Sequence, residues 1–259
     1  MTALAVRHLG VTFGGLHAVS DVSFDVAEGS ITALIGPNGA GKTTLFNLVT
    51  GVVRPSAGTV TLFGQPILGL RAEAIAGLGL LRTFQTARVF PGMTTRENLL
   101  AGAHLLLRHG ALAQMLRLPA ARREERILAE RADALLELLG LARFADAAAT
   151  ELPMGAQKLV EVGRALMGRP RMLLLDEPAA GLNDSETAEL SALLRAIRAA
   201  GITVLIVEHN MALVMESADQ VAVLDAGTLI AHGTPEAVRA HPRVIEAYLG
   251  VAARQGAAA

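Results

Sequence analysis

The sequence predicts an α/β fold: a parallel sheet with helices on its faces, interrupted by an inserted helical segment. Three apolar runs, Ile31–Ile35, Met172–Leu175 and Thr203–Val207, have the length and composition of buried strands. Segments of helical spacing alternate with these runs, which is typical of a parallel sheet. From about Asn98 to Leu141, Leu, Ala and Arg instead recur at helical spacing, which predicts a helical insert.

Each element of the expected fold rests on a local pattern. Residues Ala3–Phe13 and Val19–Val26 alternate apolar and polar around a Gly14-Gly15 turn, which predicts an antiparallel β subdomain at the N-terminus. Gly58–Leu62 is a further short strand, and another lies near Val221–Leu224. Helices are predicted at Thr43–Thr50, from about Ser185 to Ala199, and over Arg122–Leu139. The expected inward face of the last helix comprises Ile127, Leu128, Ala132, Leu135, Leu136 and Leu139.

Composition narrows the class of protein. The chain has 259 residues, enough for one large domain or two small ones, and 52% of them are hydrophobic. No apolar run approaches the roughly 18 residues of a membrane-spanning helix. The net charge of −1 offers no broad basic field, so we expect no nucleic-acid partner. Cysteine is absent, which excludes disulfides and thiol catalysis and fits a reducing cytoplasm. The segment Met1–Gly10 lacks the apolar region of a secretory signal, so we expect no secretion.

The segment Gly36–Thr43 matches the phosphate-binding pattern G-x-x-x-x-G-K-[ST] in full. Its glycines allow backbone N–H groups to surround phosphates, Lys42 reaches the β- and γ-phosphates, and the Thr43 hydroxyl can bind Mg²⁺. A strand precedes the loop and a helix follows it, so the helix N-terminus adds its dipole to the anion site. The sequence therefore predicts binding of ATP or GTP. The expected contact residues are Gly36, Pro37, Asn38, Gly39, Ala40, Gly41, Lys42, Thr43 and Thr44.

Two further segments place polar residues at the ends of predicted strands. Asp176 and Glu177 follow Met172–Leu175, where Asp176 can reach the shell of a Mg²⁺ ion and Glu177 can orient and deprotonate an attacking water. His209 follows Thr203–Val207, at the sheet edge where α/β proteins hold ligands. It could contact the γ-phosphate, although a histidine taken alone at such a position is more often structural.

The order and spacing of these motifs resemble the ATPase subunits of ATP-binding cassette (ABC) transporters over almost the whole chain. The resemblance implies one ABC ATPase domain over residues 1–259. Within it, residues 1–85 and 168–259 would form a P-loop NTPase (RecA-like) core with its N-terminal antiparallel β subdomain. Residues from about 86 to 167 would form an inserted α-helical subdomain.

The resemblance also assigns roles to individual residues. Phe13 matches an aromatic residue that stacks on adenine, with a plain core residue as the alternative. Gln85, in Thr83-Phe84-Gln85, matches a glutamine that touches Mg²⁺ or water and relays the nucleotide state to the membrane subunits. Residues 180–183 match a loop that crosses a dimer seam. The implied catalytic residues are Glu177, His209, Lys42 and Gln85, and the implied metal ligands are Thr43, Gln85 and Asp176.

One motif departs from the family pattern. The signature L-S-G-G-Q appears here as Leu152-Pro-Met-Gly-Ala156, so Gly155 is the only glycine that is kept. In the family this segment opens a helix that faces the γ-phosphate held by a second ATPase subunit. Backbone and dipole contacts from Gly155 and its helix could persist, but the serine hydroxyl contact cannot. We expect the phosphate opposite this segment to be bound less tightly than at a standard signature. The alternative is that this branch of the family tolerates the variation.

Segments between the motifs look like the longer ATPase of bacterial importers of branched-chain amino acids. They are Phe13–Leu16, Leu81–Phe90, Gly102–Ala129, Gly233–Glu236 and Val244–Gly250. Such importers pair two ATPases with two integral permeases and act with a periplasmic binding protein. In this chain, the residues near Gln85–Met93 and the helical insert would contact the permeases. This implies an ATP- and Mg²⁺-dependent subunit, peripheral on the inner face of the cell membrane.

Three alternatives remain open at this point. The chain could energise the transport of another solute or of lipopolysaccharide. It could be a soluble cassette protein acting on ribosomes or DNA, which near-neutral charge and a single set of motifs disfavour. It could also be a non-hydrolysing subunit, which the intact Lys42, Asp176 and Glu177 oppose. Homodimer and heterodimer are not distinguished.

Overall fold

The computed structural model describes residues 1–83, 88–106 and 118–248, and the chain forms two compact units. The first unit comprises Met1–Leu80 and Arg171–Ala259, and the second comprises Leu81–Pro170. The second unit therefore interrupts the sequence of the first. None of the helices in the described ranges combines the length and the apolar character that are needed to cross a membrane.

A four-stranded antiparallel sheet belongs to the first unit. Its strands are β1 (Thr2–Phe13), β2 (Leu16–Ala27), β4 (Ala57–Leu62) and β5 (Gln65–Pro66), in the order β2-β1-β4-β5. The β1–β2 hairpin turns at Gly14 and Gly15, which both have positive φ. The predicted N-terminal β subdomain is confirmed.

The second sheet has six strands, in the order β10-β9-β3-β8-β7-β6. Its strands are β3 (Ile31–Ile35), β6 (Leu80–Arg82), β7 (Met172–Asp176), β8 (Thr203–Val207), β9 (Gln220–Asp225) and β10 (Thr228–Gly233). Strands β9, β3, β8 and β7 run parallel, and β10 pairs antiparallel with β9. Every residue of β3, β7 and β8 is buried, as their uninterrupted apolar runs predict. The short strands β5, β6 and β10 were not predicted.

The first unit contains helices that follow strands of both sheets. They are α1 (Lys42–Val49), α2 (Ala72–Gly77), α6 (Asp184–Ala199), α7 (Met211–Ser217) and α8 (Pro235–Arg239), and residues 242–248 are also helical. Phe46 on α1 is fully buried in a core to which both sheets contribute, including Val60 from the antiparallel sheet and Leu174 from the parallel one. The phosphate loop is thus attached at both ends to rigid elements.

The second unit contains α3 (Thr95–Ala101), α4 (Pro119–Leu138) and α5 (Met154–Met167), with short 3₁₀ turns at Gly102–Leu106, Ala142–Phe144 and Ala149–Glu151. The predicted inward face of α4 is correct for Ala132, Leu135 and Leu136, and Leu139 directly after the helix is buried as well. Leu128 is half-buried, and the prediction is wrong for Ile127, which is 43% exposed. Periodicity places these residues on one side of the helix, but only the neighbouring elements decide how far along the helix that side is covered.

Candidate nucleotide site

Three of the predicted motifs lie along one edge of the parallel sheet. Strand β8 lies between β3 and β7, and its last residue, Val207, pairs with Leu34 on one side and with Asp176 on the other. The chain leaves these strand ends into the phosphate loop, into residues 177–180 and into residues 208–210. This is the sheet edge at which α/β proteins bind ligands.

Close backbone contacts explain two glycines of the phosphate loop. A Cβ atom on Gly36 would lie 2.1 Å from the Leu224 carbonyl oxygen, and one on Gly41 would lie 2.6 Å from the Ala18 carbonyl oxygen. Both residues also have positive φ, 153° and 99° respectively. The loop therefore lies directly against strands β9 and β2, and side chains at these two positions would displace it.

Lys42 is folded over its own loop. Its ammonium donates hydrogen bonds to the carbonyl oxygens of Gly36 at 2.7 Å and Pro37 at 2.9 Å, and the residue is only 8% exposed. Burial lowers the pKa of Lys42, and the nearby carboxylates of Glu177 and Asp176 partly oppose that effect. The charge is thus held at the centre of the loop, where phosphates can replace the two carbonyl oxygens as its partners.

A turn from a distant part of the sequence supports the loop. The Gly227 N–H donates to the Ala40 carbonyl at 3.0 Å, and the Gly227 carbonyl accepts from the Ser20 N–H at 2.8 Å. Sequence reasoning did not assign this turn, which connects β9 to β10. Its only local signal is Ala226-Gly227, a pair typical of many turns that carries no indication of its partner.

Asp176 and Glu177 differ in exposure and conformation. Asp176 ends β7 and is 3% exposed, whereas Glu177 is half-buried and has a φ of 50°, a left-handed conformation that is unusual for glutamate. The Glu177 N–H donates to the Val207 carbonyl at 2.9 Å, which ties this residue to the end of β8. Two adjacent carboxyl groups therefore occupy distinct environments, as two distinct tasks would require.

The donor atoms at this edge fit Mg²⁺ bound together with a nucleotide. Within the described ranges, no group of three or more His, Cys, Asp or Glu residues could hold a metal ion. Thr43 is exposed and offers a hydroxyl, and Asp176 offers a carboxylate. Mg²⁺ typically binds through one or two protein oxygens and completes its shell with phosphate oxygens and water.

The loop after β8 begins with a buried carboxylate to which sequence reasoning assigned no role. His209 has an exposed side chain, but its neighbour Glu208 is fully buried. The Glu208 carboxylate accepts hydrogen bonds from the backbone N–H groups of Ala179, His209 and Asn210. A charged residue after an apolar strand was visible in the sequence, but nothing local indicated that its side chain turns inward.

The hairpin that carries Phe13 belongs to the same unit as the phosphate loop. Phe13 is 49% exposed at the end of β1, so the alternative of a plain core residue is wrong. Strand β2, which continues from this hairpin, contributes Ala18, whose carbonyl oxygen lies against Gly41. An exposed aromatic ring on a rigid hairpin suits stacking on a base.

The remaining predicted residues belong to the second unit. Gly155 is buried in the first turn of α5 in the second unit, where Pro153 occupies the N-cap position and no side chain caps the helix. The Gln157 side chain instead donates to the Leu152 carbonyl at 2.8 Å. The predictions for Phe84 and Gln85 fall outside the residues that the structure describes.

The chain is similar to known families and proteins over most of its length. The family described as "ABC transporter" matches residues 19–180, and a second family, "Branched-chain amino acid ATP-binding cassette transporter", matches residues 228–254. The high-affinity branched-chain amino acid transport ATP-binding protein BraF of Pseudomonas aeruginosa is 47% identical over 250 residues, covering 96% of this chain and 98% of that protein. The corresponding LivG protein of Escherichia coli K12 is 44% identical with the same coverage.

A solved structure supports the fold over the same extent. The ADP conformation of an ATP-binding cassette of an ABC transporter superposes with a TM-score of 0.84 at 35% identity, covering 96% of this chain and 99% of that one. The similarity therefore includes both units of the chain and is not limited to the phosphate loop.

Proposed function

The chain belongs to the ATP-binding cassette transporter family, and from this premise we propose that it energises the import of branched-chain amino acids. It is an ATPase of the transporter class. The observation that carries the finer proposal is the match of residues 228–254 to the family of branched-chain amino acid cassettes, together with near-complete coverage of relatives named for that transport. The C-terminal segment lies outside the general nucleotide-binding motifs.

The mechanism assigns separate tasks to the residues at the sheet edge. Lys42 exchanges its two carbonyl partners for phosphate oxygens and stabilises charge on the γ-phosphate. Phe13 stacks on the base. Glu177 accepts the proton of the attacking water and orients it, and the exposed His209 contacts the γ-phosphate.

Thr43 and Asp176 would hold Mg²⁺ at this site. The ion supplies charge stabilisation to the β- and γ-phosphates when it is bound. Gly155 and the N-terminus of α5 would face the nucleotide of a second ATPase subunit, either a copy of this chain or a different one. The serine hydroxyl of the family signature is replaced by Pro153 and cannot take part.

A groove in the second unit supports a permease as the partner. It has a volume of about 230 Å³, and its lining includes Phe90, His104, Glu161 and Arg164. Phe90 is 46% exposed, and its backbone is fixed by the fully buried Asn98, whose amide oxygen accepts from the Phe90 N–H at 2.7 Å. An exposed aromatic ring on a fixed loop is a typical anchor for a partner.

Arg164 indicates the chemistry of that partner. Its side chain is only 16% exposed, and its guanidinium carbon lies 4.8 Å from the Phe90 ring centroid. Its Nη2 atom lies 3.7 Å from Oε1 of Glu161. Its buried Nη1 has no hydrogen-bond partner among the described residues. A docking segment that brings a carboxylate or free carbonyl oxygens would satisfy this donor.

The test is affinity purification of the tagged chain from detergent-solubilised membranes of its source, with the co-purifying chains identified by mass spectrometry. Two multi-span permeases and a second ATPase are expected, and binding proteins that act with those permeases can then be tested for branched-chain amino acids. Arg164→Ala should reduce permease recovery. Arg143→Ala serves as the matched control, because Arg143 also stacks on a phenylalanine, Phe144 at 4.6 Å, but does not line the groove.

Each alternative gives a different result in this experiment. Permeases whose binding protein takes another solute, or lipopolysaccharide-export partners, would refute the substrate and leave the transport role. Ribosomal or DNA-repair proteins without any membrane partner would refute transport altogether. Equal permease recovery with Arg164→Ala and Arg143→Ala would refute the docking groove alone.

A further inference from the structure

Glu208 has the hydrogen-bond environment of a structural bridge. The residue is fully buried at the end of β8. One carboxylate oxygen accepts from the Ala179 N–H at 2.7 Å, and the other accepts from the N–H groups of His209 at 3.0 Å and Asn210 at 3.1 Å. Its own N–H donates to the Leu34 carbonyl at 3.3 Å, which adds a contact to β3.

These bonds connect two loops that carry separate functional groups. Ala179 lies two residues after Glu177, in the loop that follows β7. His209 and Asn210 belong to the loop that follows β8. A single carboxylate therefore holds both loops at once. Its removal would leave three backbone N–H donors without their acceptor, that of Ala179 in a buried position and the other two partly buried.

The loop after β7 needs such support. Glu177 has a left-handed φ of 50°, which is unfavourable for a residue other than glycine. It is held by the bond from its own N–H to the Val207 carbonyl and by the turn that the Ala180 N–H closes onto the Glu177 carbonyl at 3.2 Å. The Glu208–Ala179 bond is a further restraint on this turn, so it restricts where the Glu177 carboxylate can lie.

We propose that Glu208 is a positioning residue, which sets the catalytic geometry of Glu177 and couples it to the loop of His209. The proposal rests on the proposed function, since it takes Glu177 as the general base. Because its side chain is fully buried and its carboxylate is taken up by backbone N–H groups, Glu208 is assigned no direct contact with the attacking water or the nucleotide. Its removal should therefore impair turnover rather than the binding of ATP.

The experiment measures kcat and KM for Mg²⁺-dependent ATP hydrolysis, with thermal unfolding, for Glu208→Ala, Glu208→Gln, Glu177→Gln and the double variant Glu208→Ala/Glu177→Gln. Asp219→Asn is the matched control, because Asp219 also accepts a backbone N–H, that of Ile31 at 2.8 Å, but near the opposite end of β3. Glu208→Ala should lower kcat about 10- to 100-fold, as expected for a lost charged hydrogen bond, and change KM less than about twofold. Glu208→Gln, which keeps one acceptor oxygen, should be intermediate.

Non-additivity is the sharpest expected result. If Glu208 acts through Glu177, adding Glu208→Ala to Glu177→Gln should change the residual turnover by less than about twofold. The proposal is overturned if Glu208→Ala leaves kcat unchanged, or if the losses of turnover in the double variant are fully additive. It is also overturned if Asp219→Asn loses as much activity as Glu208→Ala when both variants lose the same thermal stability. Near-normal turnover of Glu177→Gln would instead refute the proposed base. Full turnover of Glu208→Ala beside an inactive Glu177→Gln would refute only the positioning role.

Discussion

Substitution of Gly36 by alanine should damage both the fold and the nucleotide site. The new Cβ atom would lie 2.1 Å from the Leu224 carbonyl oxygen, whereas real Cβ atoms stay at least 3.0 Å from such neighbours. The loop or β9 must therefore shift by no less than the difference, 3.0 − 2.1 = 0.9 Å. Leu224 is paired with Leu229 in β10, so β9 has little freedom to move.

The expected cost combines overpacking and backbone strain. Overpacking costs about 1–3 kcal/mol, and a residue other than glycine in a disfavoured φ region costs about 1–3 kcal/mol, so Gly36→Ala should lower the free energy of unfolding by about 2–6 kcal/mol. The shift also displaces the Gly36 carbonyl that accepts from Lys42 at 2.7 Å. Mg²⁺-ATP affinity should therefore fall about tenfold or more, equivalent to about 1.4 kcal/mol.

Gly39→Ala is the matched control in the same loop. Gly39 also has positive φ, 82°, but no atom lies within 4 Å of its added Cβ. Only backbone strain of about 1–2 kcal/mol should remain, with little change in the position of Lys42. Urea unfolding followed by circular dichroism and titration with a fluorescent ATP analogue measure both effects. Equal losses of stability and affinity in the two variants would refute the inference that proximity to β9, in addition to φ, requires glycine at position 36.

The remaining predictions address ATP binding and hydrolysis and the pH dependence of folding stability. Lys42→Ala should weaken ATP binding and hydrolysis together. Glu177→Gln should keep ATP bound and slow turnover by about 10²–10⁴-fold. Near-normal turnover of Glu177→Gln would show that Glu177 is not the general base. Pro153→Ser restores the signature hydroxyl and should raise ATPase turnover, so an unchanged rate would count against the weakened signature. Burial lowers the pKa of His232 in the folded chain, and the nearby Asp25 partly opposes this effect. As the pH falls below about 6.5, the unfolded chain therefore binds a proton at His232 before the folded chain does. Wild type should therefore lose stability relative to His232→Gln between pH 6.5 and pH 5 in urea unfolding, and parallel curves would contradict this assignment.

Local patterns predicted much of the fold. The runs Ile31–Ile35 and Thr203–Val207 coincide with β3 and β8, because a fully buried strand must be apolar at every position. The short strands β5, β6 and β10 and the helix α2 were not predicted, since two to six residues contain too little periodicity to identify an element. The exposure of Ile127 shows the same limit within a long helix, because periodicity does not indicate which part of the apolar face is covered.

The sequence by itself determined that this chain binds nucleotide and which residues form its phosphate loop, because that loop is continuous in the chain and its chemistry depends on fixed spacing. Only the tertiary structure decided that β8 lies between β3 and β7, which brings Gly36, Glu177 and His209 to one edge. It also decided that Glu208 turns inward and that Leu224 lies against Gly36. These contacts join residues far apart in the chain, so they depend on strand order and packing, which no local pattern contains.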